Sequence, residues 1–195
     1  MTRFDDEASG DDEMSDELDD ALAEMRGWLD EIVPGEPTDH LRVVAEEKPF
    51  VDDLLQALAN VKVDDNGHVI CVYCIGEGEE GFDADKVAFL ATRLPHLKSF
   101  DAMHTNFTDK GMESLAKCST LREVNIADTG VTGVGLRFLR DLTELRELVW
   151  KPSADALTGI ESLGELVQLS TLHMSSSAIG DEETHHLRNL SLIHI

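Results

Sequence analysis

Basic side chains are scarce in this chain: 16 Lys and Arg stand against 40 Asp and Glu in 195 residues, a formal charge of −24. Nucleic-acid phosphates and anionic membrane surfaces would repel such a balance, which argues against both as partners and makes any charged protein partner a basic one. Cysteine is also scarce, three residues in all, so no disulfide framework is expected. Reduced thiols suit the cytoplasm, the expected location. No run of eighteen apolar residues occurs to span a membrane, and Met1–Glu7 lacks the apolar stretch of a secretory signal. Missing as well are a Gly-rich phosphate loop, a Ser-x-Gly elbow and a paired-carboxylate constellation, while Asp64-Asp65-Asn66-Gly67 is too short for a calcium loop. With no catalytic set in view, the chain is expected to be no enzyme and to need neither cofactor nor metal.

What is abundant is self-similarity. Residues 97–192 read as four lines of 24 residues beginning at Leu97, Leu121, Leu145 and Leu169. Phe100, Val124, Leu148 and Leu172 follow three residues on, and Ala102, Ile126, Trp150 and Met174 two beyond those. A second apolar series completes each line: Met112, Leu136 and Ile160, then Leu115, Leu139, Leu163 and Leu187, then Cys118, Leu142, Leu166 and Leu190. Such a period marks a solenoid, in which a unit that cannot bury its own apolar face stacks on its neighbours. Within each line the spacing changes from the alternation of a strand to the three-to-four spacing of a helical turn, so each unit is a strand followed by a helix.

Phe107-Thr108-Asp109-Lys110-Gly111-Met112 and Val131-Thr132-Gly133-Val134-Gly135-Leu136 carry the resemblance that follows. The pattern resembles the leucine-rich repeat family, in the variants written LxxLxLxxTxITDxGLxxLxxLxx, close to the cysteine-containing class of F-box substrate receptors. The resemblance implies an α/β fold: a right-handed leucine-rich-repeat solenoid with short parallel strands on the concave face and helices on the convex face. Gly133 replaces Asp in the second copy, Asp155 and Ala156 replace the apolar-Thr pair in the third, and Gly180 replaces the capping Thr in the fourth.

The remaining chain divides by composition. Residues 1–40 hold fifteen acidic and two basic side chains, and 1–14 are expected to be a disordered acidic tail. In 15–40, Leu18, Leu22, Met25, Leu29 and Ile32 predict an amphipathic helix behind Ser15, ended by Pro34-Gly35-Glu36-Pro37. Its stripe either packs on the rest of the chain or docks another protein beside Trp28, and the need for tertiary support favours the first. Residues 41–68 are expected to cap the repeats, with a helix from about Pro49 to Ala59 and a hairpin turned at Asn66-Gly67 by a two-residue primed turn. This cap resembles that of bacterial family members. Residues 69–195 are the solenoid: an irregular first unit over 69–96, with an insertion at Gly76–Gly81, and four regular ones. At the far edge, either the fourth unit with Asp181, Glu182, Glu183, His185 and His186 serves as cover or another chain does.

Two constellations suggest metal or redox chemistry, and each has a plainer reading. Cys71-Val72-Tyr73-Cys74, with His68 ahead of it, is a C-x-x-C, but residues three apart on a strand face opposite ways. His185-His186 beside Asp181–Glu183 fits no ligand spacing, and adjacent helical residues diverge by about 100°. The hydroxyl column Thr105, Thr129, Ser153 and Ser177 is expected to bond backbone groups of adjacent units. Gly111, Gly135 and Gly159 mark close approach or a helix start.

A partner-binding surface follows from strand alternation. Among the outward positions, Tyr73, Ile75, Asp101, Met103, Glu123, Asn125, Glu147, Val149, Lys151 and His173 would line the concave face, with apolar anchors in an acidic surround suited to a protein or peptide. The expected function is a protein-interaction module or adaptor; the alternative, drawn from charge, is an acidic immunity-type inhibitor of a basic enzyme.

Overall fold

The first helix, α1 (Lys48–Gln56), starts where Pro49 can stand without a backbone N–H to donate, behind Glu47 at its N-cap. It ends three residues short of the predicted Ala59, because Leu58 turns into the left-handed region at φ 57° and hands the chain to a strand. Val51 and Leu54 carry the buried stripe, while Leu58, beyond the helix, is exposed. The computed structural model describes residues 42–75, 81–152, 154–174, 185 and 190, all within a compact unit of residues 37–195. The predicted tail over 1–14 and helix over 15–40 lie outside the described residues, as do Asp181–Glu183, His186 and Ser177.

Strands β1 (Ala59–Val63) and β2 (Val69–Cys74) pair antiparallel. Their connection differs from the predicted two-residue turn: five residues intervene, and only Gly67 takes a positive φ, of 86°. The reason lies in Asp64, whose carboxylate accepts from the N–H of Asn66 and of His68 at 2.9 and 3.0 Å and so builds a wider loop. Gly67 itself is pressed against the Arg42 carbonyl, which a Cβ would approach to 2.2 Å.

From β2 onward each strand is parallel to the last, in the order β2, β3 (Ser99–Asp101), β4 (Glu123–Asn125), β5 (Glu147–Trp150) and β6 (Thr171–Met174). The crossovers are α2 (Ala84–Ala91), α3 (Asp109–Leu115), α4 (Gly133–Leu136) with a 3-10 turn over Arg137–Leu139, and finally two 3-10 segments, Ala154–Leu157 and Ile160–Glu165. Helical character thus decreases along the chain.

The register repeats with the sequence. Phe100, Val124, Leu148 and Leu172 are successive partners across the sheet. Ahead of each strand one bond recurs: the N–H of Lys98, Arg122, Arg146 and Ser170 donates to the carbonyl of Ile70, Lys98, Arg122 and Arg146 in turn, at 2.7–2.8 Å. Leu97, Leu121 and Leu145 are fully buried at equivalent places and Leu169 is 4% exposed. Each such leucine contributes roughly 1.5–3 kcal/mol of burial free energy. Phe107 and Val131 close the core, with the Phe100 and Phe107 rings tilted at 5.5 Å between centroids.

A carboxylate ladder joins successive turns. Asp85 accepts from the Thr108 N–H and hydroxyl at 2.9 and 2.6 Å, and Asp109 accepts from the Thr132 N–H and hydroxyl, both at 2.8 Å. Each threonine also caps its own helix, accepting from Lys110 and Val134 N–H. Glycine is required where the ladder passes: a Cβ on Gly111 would lie 2.4 Å from the Asp85 carboxylate, and one on Gly135 2.2 Å from that of Asp109. The T-D-x-G signature is therefore a contact between units as much as a cap within one.

The expected hydroxyl column works differently. Thr105 and Thr129 donate to Ala102 and Ile126 carbonyls of their own units, three residues back, at 2.6 and 2.8 Å. After a strand ends, the chain turns through left-handed residues at His104 and Asp128, and a hydroxyl three positions on from the first carbonyl beyond the strand closes that turn. Ser153 lies outside the described residues. A hydroxyl-to-carbonyl bond between units comes instead from Ser170 to Arg146 at 3.1 Å, while Thr120, the last residue of its unit, donates back to the carbonyl of Leu97, the first, at 2.6 Å.

Candidate functional site

The sheet face opposite the core is organised by the same register. Cys71, Ser99, Glu123, Glu147 and Thr171 make one row across the strands, and Tyr73, Asp101, Asn125, Val149 and His173 make the next. Of the ten sequence-predicted positions, Glu123 and Lys151 are exposed, and Ile75, Asp101, Met103, Glu147 and His173 are half-buried. The other three differ from expectation: Tyr73 is 5%, Asn125 2% and Val149 6% exposed, so they form floor rather than projecting anchors. Strand alternation tells which face a side chain is on, not how deeply its neighbours cover it.

Polar contacts hold this face in place. Asp101 accepts from the Met103 N–H at 2.9 Å and from the Asn125 amide at 3.1 Å, and Asn125 in turn accepts from the Ala127 N–H at 3.2 Å. These side chains satisfy backbone groups where strands stop. Asp128, which sequence reasoning did not select, gathers Lys151 at 3.2 Å and His104 at 3.6 Å at the strand ends. Its signal would have been position alone, since Asp128 repeats His104 at one full period in the left-handed conformation that Asp tolerates.

Electrostatically the face is acidic. Burial, then the charge of Glu123, push the Glu147 carboxyl above its ordinary value, and His173, 4.0 Å away, acts against that shift. Burial also raises the Cys71 thiol to about 11 and holds Tyr73 firmly protonated. Cys118 is likewise pushed to about 11, and Cys74, packed against the core, is raised well above its usual value. Thiols so shifted are poor nucleophiles at neutral pH. Cys71 and Cys74 face opposite sides of β2, as their spacing predicts.

Residues 93–116 and 117–139 match the model of the leucine-rich repeat family. Those two segments are similar to leucine-rich repeats. Among solved structures, the tropomodulin C-terminal domain of Caenorhabditis elegans is similar to this chain with a TM-score of 0.51 at 14% identity, covering 75% of this chain and 92% of that one. Leiomodin-1 actin-binding site 2 gives 0.49 at 14%, with 74% and 86% covered, and an internalin of Listeria monocytogenes gives 0.33 at 17%, with 54% and 36% covered. No curated protein matches the chain. At such identity the tropomodulin likeness is one of fold, a mixed α/β arrangement with a parallel sheet. The matched segments contain the Asp109–Thr132 contact and strands β3 and β4.

Proposed function

We propose that the repeats wind as a right-handed solenoid with the strands on a concave face and the helices on a convex one, and that the concave face binds a protein or peptide partner without catalysis. What supports this reading is the strand register, in which Glu123 and Glu147 share one row and Asp101 and His173 share the next. Met103 and Ile75 supply apolar contact, and Asp101, Glu123 and Glu147 supply negative charge. An apolar centre with a charged border suits recognition of a partner, and the acidity favours a basic segment. Tyr73 and Val149 act as a stiff floor beneath these contacts. Residues 41–68 serve as the cap that an open-ended stack requires, Cys118 at a leucine position fits the cysteine-containing repeat type, and the reduced thiols fit the cytoplasm. The alternative of an inhibitor of a basic enzyme rests on charge alone and gains nothing from the comparisons.

Affinity capture from a native lysate tests the reading. The full chain is compared with a Met103→Glu, Glu123→Lys double variant and with a chain lacking residues 1–40. Loss of the captured partner in the double variant, with retention in the truncated chain, is expected. Capture that survives the double variant and disappears with residues 1–40 would move recognition to the acidic segment and overturn the proposal.

A further inference from the structure

At the opposite end of β2 from Cys74, three side chains with metal-binding donors come together from separate parts of the chain. Glu47 precedes α1, His68 precedes β2 and His96 precedes β3. One donor atom from each lies within 4.8 Å of the others. The parallel register explains the histidines: Cys71 pairs with Ser99, so His68 and His96, each three residues earlier, stand at the same level of neighbouring strands. Their rings sit 4.0 Å apart at 44°.

The carboxylate is held firmly. Glu47 is 3% exposed, its Oε2 accepts from the Val69 N–H at 2.7 Å, and its Oε1 lies 3.1 Å from His68 Nδ1. A buried anion beside two imidazoles, one half-buried and one exposed, is an arrangement that attracts a cation and orients a ring nitrogen toward it. Donors on one tetrahedral ion at about 2.0–2.2 Å each stand roughly 3.3 Å apart, so the cluster must contract, and His96, the exposed member, is the donor with most room to move.

We propose that Glu47, His68 and His96 form a binding site for a borderline divalent transition cation such as zinc. Two imidazoles and a carboxylate suit zinc, cobalt, nickel or copper, and are a poor set for magnesium or calcium, which prefer oxygen ligands. Three protein ligands leave the fourth position of a tetrahedral ion open to water. The ion would tie the segment entering α1, the hairpin and the strand β3 together, a clamp at the end of the stack where the repeats begin. This inference stands apart from the concave-face reading.

The test uses the full 195-residue chain. Titration with zinc chloride followed by calorimetry is expected to give saturable binding of about one ion per chain, with a rise in Tm that magnesium chloride does not produce. Cobalt chloride is expected to give the visible absorption of a tetrahedral ion. His96→Ala removes an exposed side chain and should leave the metal-free Tm unchanged while weakening zinc binding by about tenfold or more. His96→Asp, which restores a donor, should recover part of that loss. Absence of saturable binding, or zinc affinity in His96→Ala equal to that of the unaltered chain, overturns the proposal; the latter places the ion on other histidines or the cysteines.

Discussion

Asp109 and Gly133 occupy the same place in successive repeats, yet the turns they begin are joined to the next unit by different means. From Asp109 a carboxylate reaches forward to Thr132, and a seven-residue helix follows. At Gly133 there is no acid to reach with; the backbone of Gly159 and Ile160 comes so close that a Cβ on Gly133 would lie 2.4 Å from the Ile160 nitrogen. The Val134 N–H donates to the Thr158 carbonyl at 3.1 Å, and the helix that begins at Gly133 has only four residues before a 3-10 turn takes over. One junction is made of side chains and the other of bare backbone. The repeat therefore fixes the place of a junction but not its chemistry, and the indole of Trp150 belongs to the second arrangement, since it is 1% exposed and donates to the Val131 carbonyl at 3.3 Å.

The largest expected effect falls on this backbone junction. Trp150→Ala should lower unfolding free energy by about 3–5 kcal/mol, measured by urea denaturation, because a cavity opens where Ala102 and Ile126 fill the equivalent space in earlier units. A loss under about 1 kcal/mol would show that the third unit does not depend on that side chain. On the carboxylate junction, Gly135→Ala should cost about 1–3 kcal/mol through overpacking against Asp109, although alanine is the better helix former. In an Asp109→Ala background the same change should become neutral or favourable, and additive costs in that double-mutant cycle would remove the ladder from the explanation of the glycine.

The smallest effect is electrostatic and lies on the acidic rows. Because the folded chain holds the Glu147 carboxyl above its ordinary value of 4.5, the unfolded chain loses that proton first as pH rises. Stability from this group is then complete below the unfolded value and is lost as pH rises through the folded one. Glu147→Gln should accordingly raise Tm slightly at neutral pH, with the advantage disappearing below the ordinary value. An equal Tm difference at both pH values would contradict the assignment. Solvent access to this half-buried group keeps the effect small.

The stacking of Leu97, Leu121, Leu145 and Leu169 was legible in the sequence because burial imposes one residue class at one spacing, and four copies make the period unmistakable. The ladder was not legible. Thr108 reads as an N-cap on its own, and its partner Asp85 lies 23 residues away in a unit whose sequence has diverged. Asn66-Gly67 misled for a related reason: the pair fits a tight turn, but the acceptor on Asp64 organises a wider one. On the candidate face, alternation placed Tyr73 and Val149 on the correct side of the sheet and could not show how far they would be covered. Glu47, His68 and His96 share no motif; only the pairing of β2 with β3, and the return of the chain past α1, make them neighbours.

The ladder also has a direction, which bears on how such a chain could be lengthened. Every rung offers an acid forward and a hydroxyl with its amide backward, so a unit must both receive and give in order to sit between two others. Residues 97–120 do both, through Thr108 and Asp109, whereas residues 121–144 receive through Thr132 and offer only Gly133. Duplicating the first of these segments in tandem would present each new copy with a matching edge on either side; duplicating the second would set a threonine against a neighbour with nothing to accept its proton.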